Sequence, residues 1–589
     1  MRLPPAVCKA IPAGKRKIAA ALRPGERPAR RSARPPGGRG TRRRFLNWQI
    51  VAAPAVCYLA AMQTSFRRSV RLAPGRARAG GLLAAAALFI AAPPAPRAAA
   101  PPETAAPANF RAGFAERDIT PEIGMEAPGN YGKNYHRSFH DPCKVRAAVF
   151  DDGRQRVALV GVDLLFITRH LATGARAEIQ QRCGIRPEAV LIGASHSHSS
   201  GPIGMSEPGD YDAAPPLVKR LATEHSIVSN PGYTQWLRRQ IVEAVADADA
   251  RRGEARLAVG FGREEQVAFN RRFRMKNGLT FTHPGAGNPE ILGPAGPIDP
   301  QVGVVGVWDL KGGLLGCVVN YACHATTSPG GISANWIGAM EQTLRRASGH
   351  AALPVVFLQG ASGDVTQVDN LTKVQNPQAE EWCQLVGGRI GAEAYKTLLL
   401  IQRGASSHIP LDVRQKIWRI PRRAPAPEKV ARARELAQKP AREVGEPAWT
   451  FAKETVLLDA LILARPEAEV EVQALQVGPL VLVANPAEYF VQYGLDLKQG
   501  SRFPFTFPVE LANGCVGYVP TEEAFSAQGG GYETRLTSYS NLHVSAGRQF
   551  LETGLELANQ MTPGAVPLPP PAPPFSAPWS YGNVPPELE

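Results

Sequence analysis

Cys-x-x-Cys pairs are absent from this chain, so a cysteine-based zinc ribbon is excluded. Long apolar runs are missing as well. The clearest, residues 81–92, is 12 residues long, whereas a helix crossing a bilayer needs about 20. Acidic residues are nearly missing from the first hundred positions, which hold one, Glu26, against 20 Lys and Arg. The other 489 residues carry 47 basic and 50 acidic side chains, a net of −3. The formal charge of +16 therefore belongs to the N-terminal segment and not to the body. A nucleic-acid-binding body would show a basic surplus, so no nucleic-acid partner is expected. No internal repeat is present, and the length is enough for a large core.

What the N-terminal hundred residues do contain is export-like. Arg67, Arg68, Arg71, Arg76 and Arg78 precede the apolar run, and Arg97-Ala-Ala-Ala100 follows it, the order of a secretory signal. Met62 is the expected start of such a signal. An earlier Thr41-Arg-Arg-Arg-Phe-Leu46 before the apolar residues 51–61 resembles a twin-arginine signal. Either reading gives an exported, periplasmic or secreted protein, with peripheral membrane contact at most. Of eight cysteines, six lie in the body: Cys143, Cys183, Cys317, Cys323, Cys383 and Cys515. An even number suits disulfides in an oxidising compartment, and small buried hydrophobes fit equally well.

The expected organisation is an export region over 1–100, a Pro/Ala-rich linker over 101–109, one large domain over 110–562 and a proline-rich tail over 563–589. Within the domain, an edge strand is expected near 112–120 and a hairpin about the Asp151-Asp-Gly153 turn. Helices are expected near 169–182, 232–250, 338–347 and 380–402, and a second hairpin over 302–321. Residues 202–230 read as a functional or lid-like loop, and 404–450 as a surface excursion. Strands alternating with helices, with hairpins mixed in, point to a mixed α/β or α+β sheet flanked by helices.

Apolar strands in this pattern end in clusters of small residues bearing metal-capable groups. Residues 189–192 lead to His196 and His198, and the second hairpin to His324. Residues 353–358 lead to Asp364 and Thr366, and 480–483 to Glu488. On an extended backbone, His196 and His198 at i and i+2 share a face. Two imidazoles and a carboxylate with an open position form a catalytic zinc site, while histidines bonded to backbone carbonyls would give the same spacing.

Seven stretches resemble, in order, the neutral/alkaline non-lysosomal ceramidase family: DIT at 118–120, ASHSHSSGP at 194–202, FNRR at 269–272, VNYACHATT at 319–327, QGASGDVT at 359–366, ANPAEYF at 484–490 and GYVPTEEAF at 517–525. The resemblance spans about residues 110–560 and has no counterpart for the family's usual C-terminal immunoglobulin-like domain. It implies Zn2+ held by His196, His324, Glu488 and Tyr518. It also implies His198 as proton carrier or oxyanion donor and Arg271 near the reacting group. Thr366 stands where the family has a serine often assigned as catalytic. Asp364 and Tyr532 are expected to contact substrate. The implied reaction is hydrolysis of a lipid-like N-acyl amide, ceramide giving sphingosine and fatty acid. The alternative within hydrolysis is a metal hydrolase acting on another N-acyl amide, an ester or a phosphoester. An inactive lipid- or glycan-binding envelope protein on the same scaffold is the reading outside enzymology.

Overall fold

The computed structural model describes residues 109–206, 209–566, 568–582 and 584–589. The export signal, its start at Met62 and linker residues 101–108 lie outside the described residues. Among the described residues, no helix is long and apolar enough to cross a membrane.

The architecture is mixed α/β. Eight strands form one sheet in the order Val355–Gln359, Leu314–Tyr321, Gln301–Asp309, Gly253–Arg263, Arg111–Asp118, Lys144–Asp151, Arg156–Val162, Val190–Ala194. The two outermost pairs are parallel and the inner pairs antiparallel. Arg111–Asp118, expected at an edge, lies in the middle. It is flanked on both sides because Ala112 and Phe114–Ala115 are buried and its backbone is paired to two neighbours. The Asp151 turn forms as its residues dictate. Asp151 Oδ1 accepts the Gly153 amide, Asp152 Oδ1 accepts the next two amides, and Gly153 adopts φ +80°.

The sheet folds back so that its two ends meet. A Cβ on Gly161 would stand 2.4 Å from the Phe357 carbonyl oxygen, so only glycine allows that approach. Every residue of Val190–Ala194 and of Val355–Gln359 is buried, and a one-residue slip would misplace the groups that follow both strands.

A second sheet has the order Leu411–Pro421, Glu467–Val477, Leu480–Ala484, Phe505–Val509. Its first strand lies within the stretch read as a surface excursion. Leu411 and Val413 are buried, and the strand pairs along its whole length with Glu467–Val477. The helices Pro427–Gln438 and Glu446–Ala464 follow and pack against each other. Residues 202–230 include a helix of their own, Pro216–Thr223, whose buried Val218, Leu221 and Ala222 join these helices in one cluster. The four expected helices occur as Arg169–Cys183, Pro231–Ala250, Trp336–Ser348 and Ala379–Ile401. The six described cysteines are free thiols, and four of them are buried as small apolar groups.

Candidate metal and hydrolytic site

His196 follows the strand Val190–Ala194, but the strand ends two residues earlier. The Ser195 and Ser197 amides bond the Val162 and Leu164 carbonyls, and His196 between them takes φ +62°. A non-glycine residue in that region is uncommon and marks a functional or strained position. The two histidines therefore converge through this turn, and not through the alternation of an extended strand. His198 Nε2 lies 3.3 Å from His196 Nε2. Gly129 makes room for His198, since a Cβ there would lie 2.3 Å from its Nδ1.

His324 arrives from the far end of the same sheet, just beyond Leu314–Tyr321. Its ring centroid stands 4.6 Å from that of His196. The ligand-capable atoms of His196, His198 and His324 all lie within 4.8 Å of one another, so these three side chains could hold a metal ion.

Glu488 completes the cluster. Its Oε2 is 3.2 Å from His196 Nε2 and 3.1 Å from His324 Nε2, yet it makes no hydrogen bond in that geometry. Both rings are oriented from behind: His196 Nδ1 is 2.8 Å from the Leu165 carbonyl and His324 Nδ1 2.8 Å from that of Ser362. Carbonyls only accept, so each Nδ1 carries a proton, and in the neutral form that a metal requires each Nε2 turns a lone pair toward Glu488 Oε2. Arg271 Nη1 and His198 Nε2 stand within bonding distance of the His324 and His196 nitrogens, which leaves Glu488 Oε2 as the buried atom of the three without a partner, and such an atom calls for a cation. Thus the donor set fits a divalent metal, and the backbone carbonyls supply the outer partners such ligands need.

Burial alone would raise the Glu488 carboxyl; with no cation between them, His196 and His324 hold it well below the carboxylate range only by turning a proton toward it, and Glu488 in turn raises His196. A bound metal takes the place of that proton. His324 is pushed down to about 3 by burial and by Arg271. His198 is also pushed well down, by burial first and then by the other two imidazoles.

Tyr518 lies beside Glu488, because Glu488–Tyr489 and Tyr518–Val519 form a parallel pair in which these two residues are partners. Its hydroxyl is 2.7 Å from that of Tyr532. Arg271 is buried. Its Nε donates to Glu533 Oε1 at 2.9 Å, its Nη2 to the Gly363 carbonyl at 2.7 Å, and its Nη1 lies 3.0 Å from His324 Nε2.

A cavity of about 170 Å³ is walled by Leu165, Phe166, Ile203, Met205, Ile227 and Leu457, with His196, His198, Glu488, Tyr518 and Tyr532 on its polar side and His324 and Arg271 outside its lining. Asp364 does not contribute to that lining. Its two carboxylate oxygens accept from Asn270 Nδ2 at 2.8 Å and from the Val491 amide at 2.9 Å, which ties three segments together. Thr366 is also outside the lining. It is buried in a short strand pair, and its hydroxyl donates to Gln367 at 2.9 Å.

Two features escaped the sequence. Tyr539 donates to Glu488 Oε1 at 2.7 Å, from a polar stretch with no apolar strand to flag it. Lys453 and Glu454, paired at 2.8 Å, also line the cavity. The signal that could have found them is a pair of adjacent opposite charges inside a mostly apolar helical run, and both are buried.

No protein-family model matches the chain. The neutral ceramidase of Pseudomonas aeruginosa is 27% identical over 314 residues, 50% of this chain and 43% of that protein. The chain thus aligns with less than half the length of the curated relative it matches. The crystal structure of that organism's neutral ceramidase superposes with a TM-score of 0.56 at 19% identity, over 78% of this chain and 76% of that one. The chain resembles neutral ceramidase in sequence and has its fold. A ceramidase complexed with C2 superposes similarly, with a TM-score of 0.58 at 19% identity over 79% and 77% of the two chains. The neutral ceramidase likeness thus extends in fold well beyond the stretch that aligns in sequence.

Proposed function

We propose that this protein is an exported, zinc-dependent amide hydrolase of ceramidase type, cleaving ceramide or a close N-acyl relative to a fatty acid and an amine. The observation that carries this reading is Glu488 Oε2, without a hydrogen bond at the wall of an apolar cavity, with His196 Nε2 and His324 Nε2 at 3.2 and 3.1 Å from it. Its likeness to neutral ceramidase supplies the substrate class. Export rests on the basic leader and its short apolar run.

His196, His324 and Glu488 are the ligands, with Tyr518 beside Glu488 as the fourth. Zinc so held supplies Lewis acidity and lowers the pKa of water to about 7. The apolar walls exclude bulk solvent and take the acyl chain. His198, on the cavity side of His196, stands where a proton must leave the attacking water and reach the amine nitrogen as the C–N bond breaks. The Tyr532 hydroxyl faces the same space and offers a donor to the carbonyl oxygen as it gains charge. Arg271, pinned by Glu533, is the fixed cation beside this group.

The test is turnover of N-acylsphingosines beside short, soluble acyl amides, before and after chelation. Long-chain substrates should be cleaved preferentially, with loss on chelation and return on adding zinc. Equal turnover of short amides, or activity indifferent to chelation, overturns the reading. Thr366→Ala should keep most of its turnover, because the hydroxyl is bonded to Gln367 and lies outside the cavity lining. Loss on the scale of a deleted nucleophile, roughly 10^4-fold or more, would return Thr366 to the chemistry.

A further inference from the structure

The segment Glu510-Leu-Ala-Asn513 is bonded to the strand before His196, to the stretch around Glu488 and to the serine that orients His324. On the His196 side, the Leu511 carbonyl accepts the Ala194 amide at 3.2 Å, and Asn513 exchanges bonds with Ile192, each 2.9 Å. On the Glu488 side, the Leu511 and Ala512 amides donate to the Ala487 and Asn485 carbonyls at 3.1 and 3.0 Å. Glu510 itself accepts the Tyr489 amide, next to Glu488, at 2.7 Å. On the His324 side, its other oxygen accepts the Ser362 hydroxyl at 2.5 Å, and the carbonyl of that same serine orients His324 Nδ1. Gln359 closes the network, its Nε2 reaching both Ser362 Oγ and the Cys323 carbonyl, each at 2.7 Å.

Glu510 is fully buried, and nothing in the proposed chemistry uses it. Two residues of the segment, Leu511 and Asn513, hold φ of +50° and +60°. Such conformations are strained for residues that carry a Cβ and persist where the surroundings over-determine them. A carboxyl group bonded to the Glu488 segment and to the serine that orients His324, in a turn bonded to the strand leading to His196, acts on the ligands through their supports.

We infer that Glu510 is a positioning residue for the metal site, holding the Ser362 carbonyl behind His324 and the backbone of Glu488 at the separation the metal requires. This rests on the functional reading above only in taking His196, His324 and Glu488 as ligands. Glu510→Ala frees the Ser362 hydroxyl and the Tyr489 amide together, so both ligands lose their fixed relation. Outer partners of metal ligands typically change affinity by about 10–100-fold, and a loss in that range is expected.

The measurement is zinc affinity of the metal-free full chain by competition with a chromogenic chelator, alongside the thermal midpoint of that metal-free form. Wild type should bind about one zinc. Glu510→Ala should bind about 10–100-fold more weakly, and its kcat should stay low at zinc levels that saturate it. Ser362→Ala removes one arm alone and should weaken binding less. Its effect should vanish in the Glu510→Ala background, as expected for residues acting through one network. Wild-type affinity in a folded Glu510→Ala overturns the inference and leaves the functional reading standing. Should Glu510→Ala fail to fold, Ser362→Ala decides, with unchanged affinity again counting against. A wild type that binds no zinc removes the functional reading and this inference together.

Discussion

Glu488→Gln should emerge folded and nearly free of metal, with turnover reduced by about 10^3-fold or more. Glutamine keeps the shape and can still accept from Tyr539, so the polar network around position 488 survives. What it loses is the charge facing His196 Nε2 and His324 Nε2. That charge is the one anionic member of the proposed His196, His324 and Glu488 set, and glutamine cannot supply it. Lewis-acid assistance contributes several kcal/mol to a hydrolytic barrier, and each 1.36 kcal/mol is a factor of ten, which sets the size of the loss. Metal content by elemental analysis and kcat on the same preparation check it. A variant that kept both would show that Glu488 is an ordinary buried carboxylate and that the imidazoles, His198 among them, suffice.

The second large effect lies outside the cavity. Arg146→Ala should destabilise the fold by about 3–5 kcal/mol, the usual cost of breaking a buried ion pair by removing one partner. Arg146 sits between Asp163, at 2.8 Å, and Glu341, and all three are nearly inaccessible. Without the guanidinium, two carboxylates remain in the core, with Lys144 and Arg345 reaching only Glu341. The damage should reach the site, because Asp163 opens the turn in which the Leu165 carbonyl orients His196. Thermal unfolding with and without zinc reads both consequences. A midpoint like that of the wild type would mean that water or neighbouring cations take the place of Arg146.

How much of this was legible follows from where each signal lives. Strands and helices with a clear period were readable, as at Arg169–Cys183 and Pro231–Ala250, because their buried faces recur locally. Leu411–Pro421 was not, since Arg414, Lys416 and Arg419 mask the few residues it buries. Arg111–Asp118 was recognisable as a strand, but its central place depends on pairing with Gly253–Arg263, far along the chain. His196, His198, His324 and Glu488 were legible as metal-capable groups after apolar runs, and the structure brings all four together. Asp364 and Thr366 follow an apolar run too, and that pattern cannot tell a group facing a cavity from one spent on its neighbours' amides. Tyr539 and Glu510 carry no local signal at all, because they act through other residues' backbones and side chains.

The return of the large sheet upon itself at Gly161 has a thermodynamic reading. His196 and His324 leave from strands at opposite margins of one sheet and meet only when those margins are in register. Whatever occupies the space between the rings is therefore a fastener across the sheet's seam. Its binding free energy is added to the resistance of that seam to opening. Opening at the seam and loss of the occupant would then be a single equilibrium, and residue 161, which carries no reactive group, sets the spacing on which it turns.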